Sequence, residues 1–282
     1  MLWMLLVLVY GLLKGTREII KKKSLEKSTV MEVLFFYTLY GFLLVSPDVK
    51  NAMGVPPKFM FYIALKSFII FLAWICSFKA IKKMPISFYG ILDLSRVLFA
   101  TMFATIILGE ILSVTQMIGL FLVACGLLLL KFRKNVSGDE EQIKTKYIIY
   151  AFFSCFLNAF SGLMDKILMK DLNSSQLQFW YMLFLVLMYF VYILVTRTKV
   201  NVKASLKNYW IWILAILFVI ADKALFIANG MPESRISVMT LIKQSACLVT
   251  ILAGKLIYKE KNIKFKLLCA GIVVAGIVVA VL

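Results

Sequence analysis

The chain has 282 residues, 62% of them hydrophobic, and carries 32 Lys and Arg against 14 Asp and Glu, a formal charge of +18. A soluble domain is about 45–50% apolar, so this composition predicts an integral membrane protein. In that setting a basic excess marks loops that face the cytoplasm and anionic lipid, not nucleic acid. The sequence has no histidine, which excludes Ser-His and Cys-His nucleophiles and H-E-x-x-H zinc sites.

Residues 1–13 are apolar, with no basic residue ahead of them and no small-residue cleavage site. This predicts a first transmembrane helix, not a cleaved signal peptide. A span needs about 20 apolar residues at 1.5 Å rise each. About ten runs qualify, near 2–19, 29–46, 59–79, 85–108, 114–131, 147–168, 177–196, 208–229, 234–257 and 265–282. The longest polar stretch, KFRKNVSGDEEQIKTK (131–146), lies near the midpoint with five runs on each side. The expected organisation is therefore a first repeat at 1–134, a linker at 135–146 and a second repeat at 147–282. Cys76, Cys125, Cys155, Cys247 and Cys269 all fall within apolar runs and read as small core residues, not a disulfide framework.

Landmarks recur in the same order in the two halves. YGLLK (10–14) parallels GLMDK (162–166), and STVME (28–32) parallels SSQLQ (174–178). Met84-Pro85 and Met231-Pro232 open the fourth and ninth runs, which end in LGE (Glu110) and YKE (Glu260). Sixteen positions after each glutamate stands a glycine, Gly126 or Gly276. An odd number of helices per repeat inverts the second copy, and inverted repeats are the signature of alternating-access transporters with a midplane substrate site. Of the basic residues, 23 flank loops after odd-numbered runs and only Lys50, Lys58, Lys170 and Arg235 flank the others. The positive-inside rule then places the linker in the cytoplasm and both termini outside.

LGEILSVTQMIGLFLVACGLLLL (108–130) resembles the closing segment of a half-domain in the EamA family of the drug/metabolite transporter superfamily. YKEKNIKFKLLCAGIVVAGIVVAVL (258–282) is similar to the same segment in the second half, although Ile111 and Lys259 depart from the family's pattern. The resemblance spans both halves and implies a ten-helix carrier of small metabolites. LSR (94–96), IKQ (242–244) and LMDK (163–166) are similar to charged turns of some members, with Gln244 standing where an acid is expected.

Asp93 and Arg96, in GILDLSRVLFAT (90–101), interrupt an apolar run. Each charge costs roughly 2.5–3.5 kcal/mol at mid-membrane, and such groups face a bundle interior or a wet cavity. At i,i+3 the two can pair, either as a staple between helices or as part of a ligand site. Arg96 lies eleven residues after Pro85 and Lys243 eleven after Pro232, so internal symmetry matches two cations. Counting back from Glu110 and Glu260 matches Lys243 with Asp93 instead. A planar guanidinium and a point-charge ammonium suit an anionic group, in an anion or a zwitterion.

Asp165 and Asp222 are candidates to bind an amino group. Together with Glu32 they are also candidates to carry a proton if transport is proton-coupled, since desolvation raises a carboxyl pKa and no histidine is present. Glu32, near the cytoplasmic end of its helix, reads equally as a wet residue, and Lys66 equally as a snorkelling one. Tyr10, Trp74 and Tyr89 sit deep enough to line a cavity or pack a core, whereas Trp180, Tyr181, Trp210 and Trp212 read as an interfacial belt.

The sequence therefore predicts an all-α polytopic protein of two inverted five-helix repeats. It would act as a secondary transporter of a small polar metabolite in the cell's inner membrane, with membrane lipid and a small-molecule substrate as partners. No catalytic residue, metal or cofactor is expected, and monomer and homodimer both stay open. The alternatives are a flippase for a polar lipid or lipid-linked sugar, and a non-transporting partner or intramembrane enzyme. Against an aspartyl protease, Asp93 and Asp222 lack Gly-rich surroundings.

Overall fold

The computed structural model describes residues 2–108, 113–132, 144–231, 233–234, 239 and 242–281, with the side chains of 104, 108, 130–132, 280 and 281 excepted. The described residues are all helical or connecting. The first half contains α1 (Leu2–Lys27), α2 (Val30–Val45), a short α3 (Val49–Ala52), α4 (Pro57–Lys83), α5 (Ile86–Asp93), α6 (Arg96–Leu108) and α7 (Val114–Phe132). The second contains α8 (Thr145–Leu168), α9 (Ser174–Thr196), a short α10 (Val202–Lys207), α11 (Tyr209–Asn229), α12 (Ser245–Leu256) and α13 (Ile263–Val281).

Six segments are long and apolar enough to cross a membrane: 30–52, 57–83, 86–107, 145–168, 174–196 and 209–229. Of the other four expected spans, three correspond to α1, α7 and α13, and α12 covers the end of the fourth (234–257), of which residues 235–238, 240 and 241 lie outside the described residues; none of these helices is among the six. The first expected span ends at 19, but α1 runs to Lys27 because Lys14, Glu18 and Lys21 are buried within the bundle. Of the expected linker (135–146), residues 135–143 lie outside the described residues and α8 already begins at Thr145; Glu110, Ile111, Pro232 and Arg235 also lie outside them.

Local chemistry sets the boundaries. Thr29 and Glu32 form a capping box at the start of α2, and Asn173 and Gln176 form one at the start of α9. The STVME and SSQLQ landmarks are thus both helix starts, in a register two residues away from the sequence match. Pro85 ends α4 by holding Met84 extended, at φ −125° and ψ 152°. The next helix is broken. Leu94 N–H donates to Ile91 O at 3.1 Å, Ser95 N–H to Leu92 O at 3.0 Å and Val97 N–H to Leu94 O at 3.1 Å. These i→i−3 bonds tighten the chain into a turn between α5 and α6, with Asp93 and Arg96 on either side of it. Gln244, a turn residue after helical Ile242 and Lys243, precedes α12 in the same manner, with Cys247 N–H donating to Gln244 O at 2.9 Å.

Packing joins the two halves. α1 lies against α11 and α12, α4 against α8 and α9, α2 against α9 and α11, and α7 against α13. The G-x-x-x-G at Gly11 and Gly15 lets α1 approach α12 closely: a Cβ on Gly15 would meet Ala246 O at 2.8 Å. Each of the matched glycines, Gly126 and Gly276, lies against the opposite helix in the α7–α13 contact. A Cβ on Gly276 would meet Gly119 O at 2.7 Å, and one on Gly126 would meet Cys269 O at 3.1 Å. Glu260 also crosses the halves. It accepts Ile86 N–H at 2.6 Å and the Ser87 hydroxyl, capping α5, and it pairs with Lys266 at 3.0 Å.

Candidate functional site

Between the halves lies a cavity of about 520 Å³, lined by side chains of α1, α2, α4, α6, α8, α9 and α11 and by Met239, Lys243 and Gln244. Its size suits a small metabolite. Its wall is built of ion pairs, three of which link distant segments: Lys14–Asp93, Arg17–Asp222 and Lys66–Asp165. Lys14 Nζ donates to Asp93 Oδ2 at 2.6 Å, and Arg96 Nε lies 2.6 Å from Asp93 Oδ1. Arg17 Nη1 meets Asp222 Oδ1 at 3.3 Å, Lys66 Nζ meets Asp165 Oδ1 at 3.0 Å, and Lys21 Nζ meets Glu18 Oε2 at 2.7 Å. Buried charges persist when they are paired in this way.

Lys243 differs. It projects into the same cavity, with Nζ 5.9 Å from the centre of the Tyr10 ring, and has no carboxylate partner among the described residues. It stands in the fields of Lys14, Arg96, Asp165 and Asp222. α1 brings this group together: Tyr10 and Lys14 share a face at i,i+4, and Gly11 packs directly over the Lys243 backbone, with its Cβ position 3.6 Å from Lys243 Cα.

One side of the cavity is aromatic. Trp74 meets Tyr37 at 5.1 Å and Phe218 at 5.3 Å, the latter at 90°. Tyr181 lies 6.3 Å from Trp74 and beneath the Lys66 ammonium, which is 3.7 Å from its ring centre. The Arg17 guanidinium lies 5.0 Å over Phe218.

Of the residues singled out from sequence, Arg96, Lys243, Gln244, Asp165, Asp222, Trp74 and Tyr10 line this cavity. Asp93 stands behind the wall, holding Lys14 and Arg96. Tyr89 is also behind it, fully buried with its hydroxyl 2.7 Å from Ser77 Oγ. Glu32 is elsewhere: its carboxylate accepts Thr29 N–H at 2.7 Å and Asn201 N–H at 2.8 Å, fastening the start of α2 to the segment before α10. Both amides are structural partners, so its geometry is that of a helix cap.

Sequence reasoning did not single out Lys14, Arg17, Glu18 or Lys21 as site residues and counted the three basic ones among the charges flanking the loop after the first run. Their i,i+3 and i,i+4 spacing on a continuing helix was the available signal. Lys66 is a cavity residue only 2% exposed, not a snorkelling one, and Tyr181 is a wall residue, not an interfacial one. Asp222 and Lys223 diverge as helical neighbours must: Asp222 faces Arg17, while Lys223 reaches Asp48 at 2.9 Å and Ser175 Oγ at 2.7 Å.

The model of the EamA-like transporter family matches the chain twice, at residues 1–132 and 145–282. The chain belongs to the EamA-like transporter family. The two matches are the two halves that enclose the cavity. Membership, with the apolar helices, makes this a multi-pass membrane protein and a membrane transporter of the drug/metabolite type, a family that is generally non-enzymatic. No curated protein matches the sequence. A solved structure described only as "Crystal structure of protein" is similar at a TM-score of 0.67 and 15% identity, over 99% of this chain and 96% of that one. At that identity the likeness concerns the fold alone.

Proposed function

We propose that this EamA-like protein is a secondary transporter of a small anionic or zwitterionic metabolite, which it moves by alternating access of the central cavity. The observation that carries the reading is Lys243: a cation lining the cavity, without a carboxylate among the described residues, set beside a helix break. Arg96 stands beside the other break, at the same distance from its Met-Pro pair. Discontinuous helices meeting across a cavity are the usual construction of a midplane substrate site between inverted repeats. In this reading ten membrane spans form two inverted five-helix repeats in the cell's inner membrane, with both termini outside and the linker in the cytoplasm. Arg96 and Lys243 hold the anionic group, and Gln244 adds an uncharged polar contact. Asp165 and Asp222 receive an ammonium or a coupled proton by exchanging it against Lys66 and Arg17. Surrounding lipid is the only other partner required.

The test is a thermal-shift screen of purified protein against amino acids, organic acids, nucleosides and sugar phosphates, followed by counterflow of each hit in proteoliposomes. A ligand stabilises by RT ln(1 + [L]/Kd), so a millimolar binder registers at tens of millimolar. Hits that exchange across the bilayer support the reading. Hits that bind without exchange, or stabilisation only by neutral solutes, would overturn it.

A further inference from the structure

We infer that the anion subsite of this cavity takes a doubly charged, compact oxyanion, a phosphomonoester head, in preference to a single carboxylate or a zwitterion. This rests on the transport reading above and specifies its substrate class.

The argument is one of charge. Three of the wall's ion pairs are neutral in themselves: Arg17 with Asp222, Lys66 with Asp165, and Lys21 with Glu18. The remaining cluster is not. Lys14 and Arg96 share the single carboxylate of Asp93, each at 2.6 Å, and Lys243 adds a third cation beside them. Two positive charges are left over. Lys166, on α8, also lines the wall without a carboxylate among the described residues and stands outside this cluster's count. Lys14 is 6% exposed and the Arg96 side chain 25%, with Lys243 half-buried, so bulk water screens this surplus only in part. A monocarboxylate would leave one charge uncompensated, and a zwitterion would bring its own ammonium and leave both. A dianion removes the surplus.

The convergence of the cations selects among dianions. Lys14 and Arg96 meet on one carboxylate, and Lys243 sits one turn of α1 away, under Gly11. Lys14 from α1, Arg96 from α6 and Lys243 from the segment before α12 all line this one cavity, and a phosphoryl group with three terminal oxygens can accept from three such donors. Arg96 offers a planar fork, and the two lysines offer point charges. The aromatic side formed by Tyr37, Trp74, Tyr181 and Phe218 leaves a body of low polarity to pack against rings.

Four probes of matched size separate charge from shape: phenyl phosphate, phenyl sulfate, phenylacetate and phenylalanine. At pH 7.5 the phosphate ester is largely a dianion, its second pKa being about 6, while the sulfate ester has the same tetrahedral head and one charge. Binding is measured by calorimetry on the wild-type protein in nanodiscs, and movement by counterflow in proteoliposomes. Phenyl phosphate is expected to bind at least tenfold more tightly than the other three. Lys243→Gln, or Lys14→Gln if the first variant is not monodisperse, is expected to weaken phenyl phosphate at least tenfold more than phenyl sulfate. Equal or tighter binding of phenyl sulfate, phenylacetate or phenylalanine overturns the inference, as does no binding of phenyl phosphate at 10 mM. If one of the other three binds best and is exchanged, the transport reading stands and this inference falls. If phenyl phosphate binds with the expected preference but is not exchanged, the subsite stands and the transport reading falls.

Discussion

Lys14 and Asp93, 79 positions apart in the chain, meet at 2.6 Å with both side chains buried. This contact ties α1 to the end of α5, directly before the helix break. Arg96, across the break, occupies the other oxygen of the same carboxylate. Asp93 is therefore the single acid that holds two cations from two helices. That explains why a carboxylate occurs at this depth, and it frames the predictions below.

Asp93→Asn should be more damaging than Lys14→Gln. The first leaves two cations facing each other without an acid, which by the usual cost of breaking a buried pair is about 3–5 kcal/mol. The second leaves Asp93 still paired with Arg96 and should cost about 1–3 kcal/mol. Unfolding midpoints in a mild detergent rank the two, and a reversed order would show that Lys14, not Asp93, organises the cluster.

Arg96 separates a ligand role from a staple role. Arg96→Lys keeps the charge and loses the fork, and Arg96→Gln removes the charge while leaving Asp93 paired with Lys14. If Arg96 holds substrate, Arg96→Lys should fold yet lose roughly tenfold or more in affinity, about the worth of one charge-assisted bond, and Arg96→Gln should be folded and inactive. Uptake normalised to monodisperse protein decides it. Near-normal uptake by Arg96→Gln would reduce the pair to a staple.

The α7–α13 contact makes a steric prediction. A side chain at Gly276 runs into the backbone of Gly119 and Val123, whereas Gly271, on the same helix, has open space around its Cβ position. Gly276→Val should destabilise by about 1–3 kcal/mol or more, since backbone must move. Gly271→Ala should be neutral or slightly stabilising, because Ala favours helix. Equal thermal stability of the two variants would contradict the helix contact.

Orientation can be read from two exposed lysines. Lys58 opens α4 and Lys203 lies in α10. After replacement of the five cysteines, none of which is bridged, Lys58→Cys should react with an impermeant maleimide in intact cells, and Lys203→Cys only after lysis. The opposite pattern would invert the proposed topology. Moving Lys14, Arg17 and Lys21 from a loop into the cavity trims the basic bias but does not change its sign.

Much of the protein was legible in the sequence because one-dimensional pattern and membrane physics specify it. Apolar length, the Met84-Pro85 punctuation and the glycine landmarks locate helices, since backbone groups in lipid must be satisfied within each segment. Duplication supplied the match of Arg96 to Lys243, and intramembrane charge flagged Asp93, Asp165 and Asp222. What the sequence could not decide was which charges pair. Lys14 with Asp93, Arg17 with Asp222 and Lys66 with Asp165 are separated by 79 residues or more, and no local spacing announces such partners. Glu32 and Tyr89 looked like Asp165 and Tyr10 on paper. Only the tertiary structure turned the first two toward backbone amides and a wall serine and the latter two into the cavity, because a helix's rotation about its axis is set by the neighbours it packs against. The same packing, with Gly11 and Gly15 seated on α12, carried Lys14 to the partners it shares with Arg96 and left Lys243 beside them without an acid of its own.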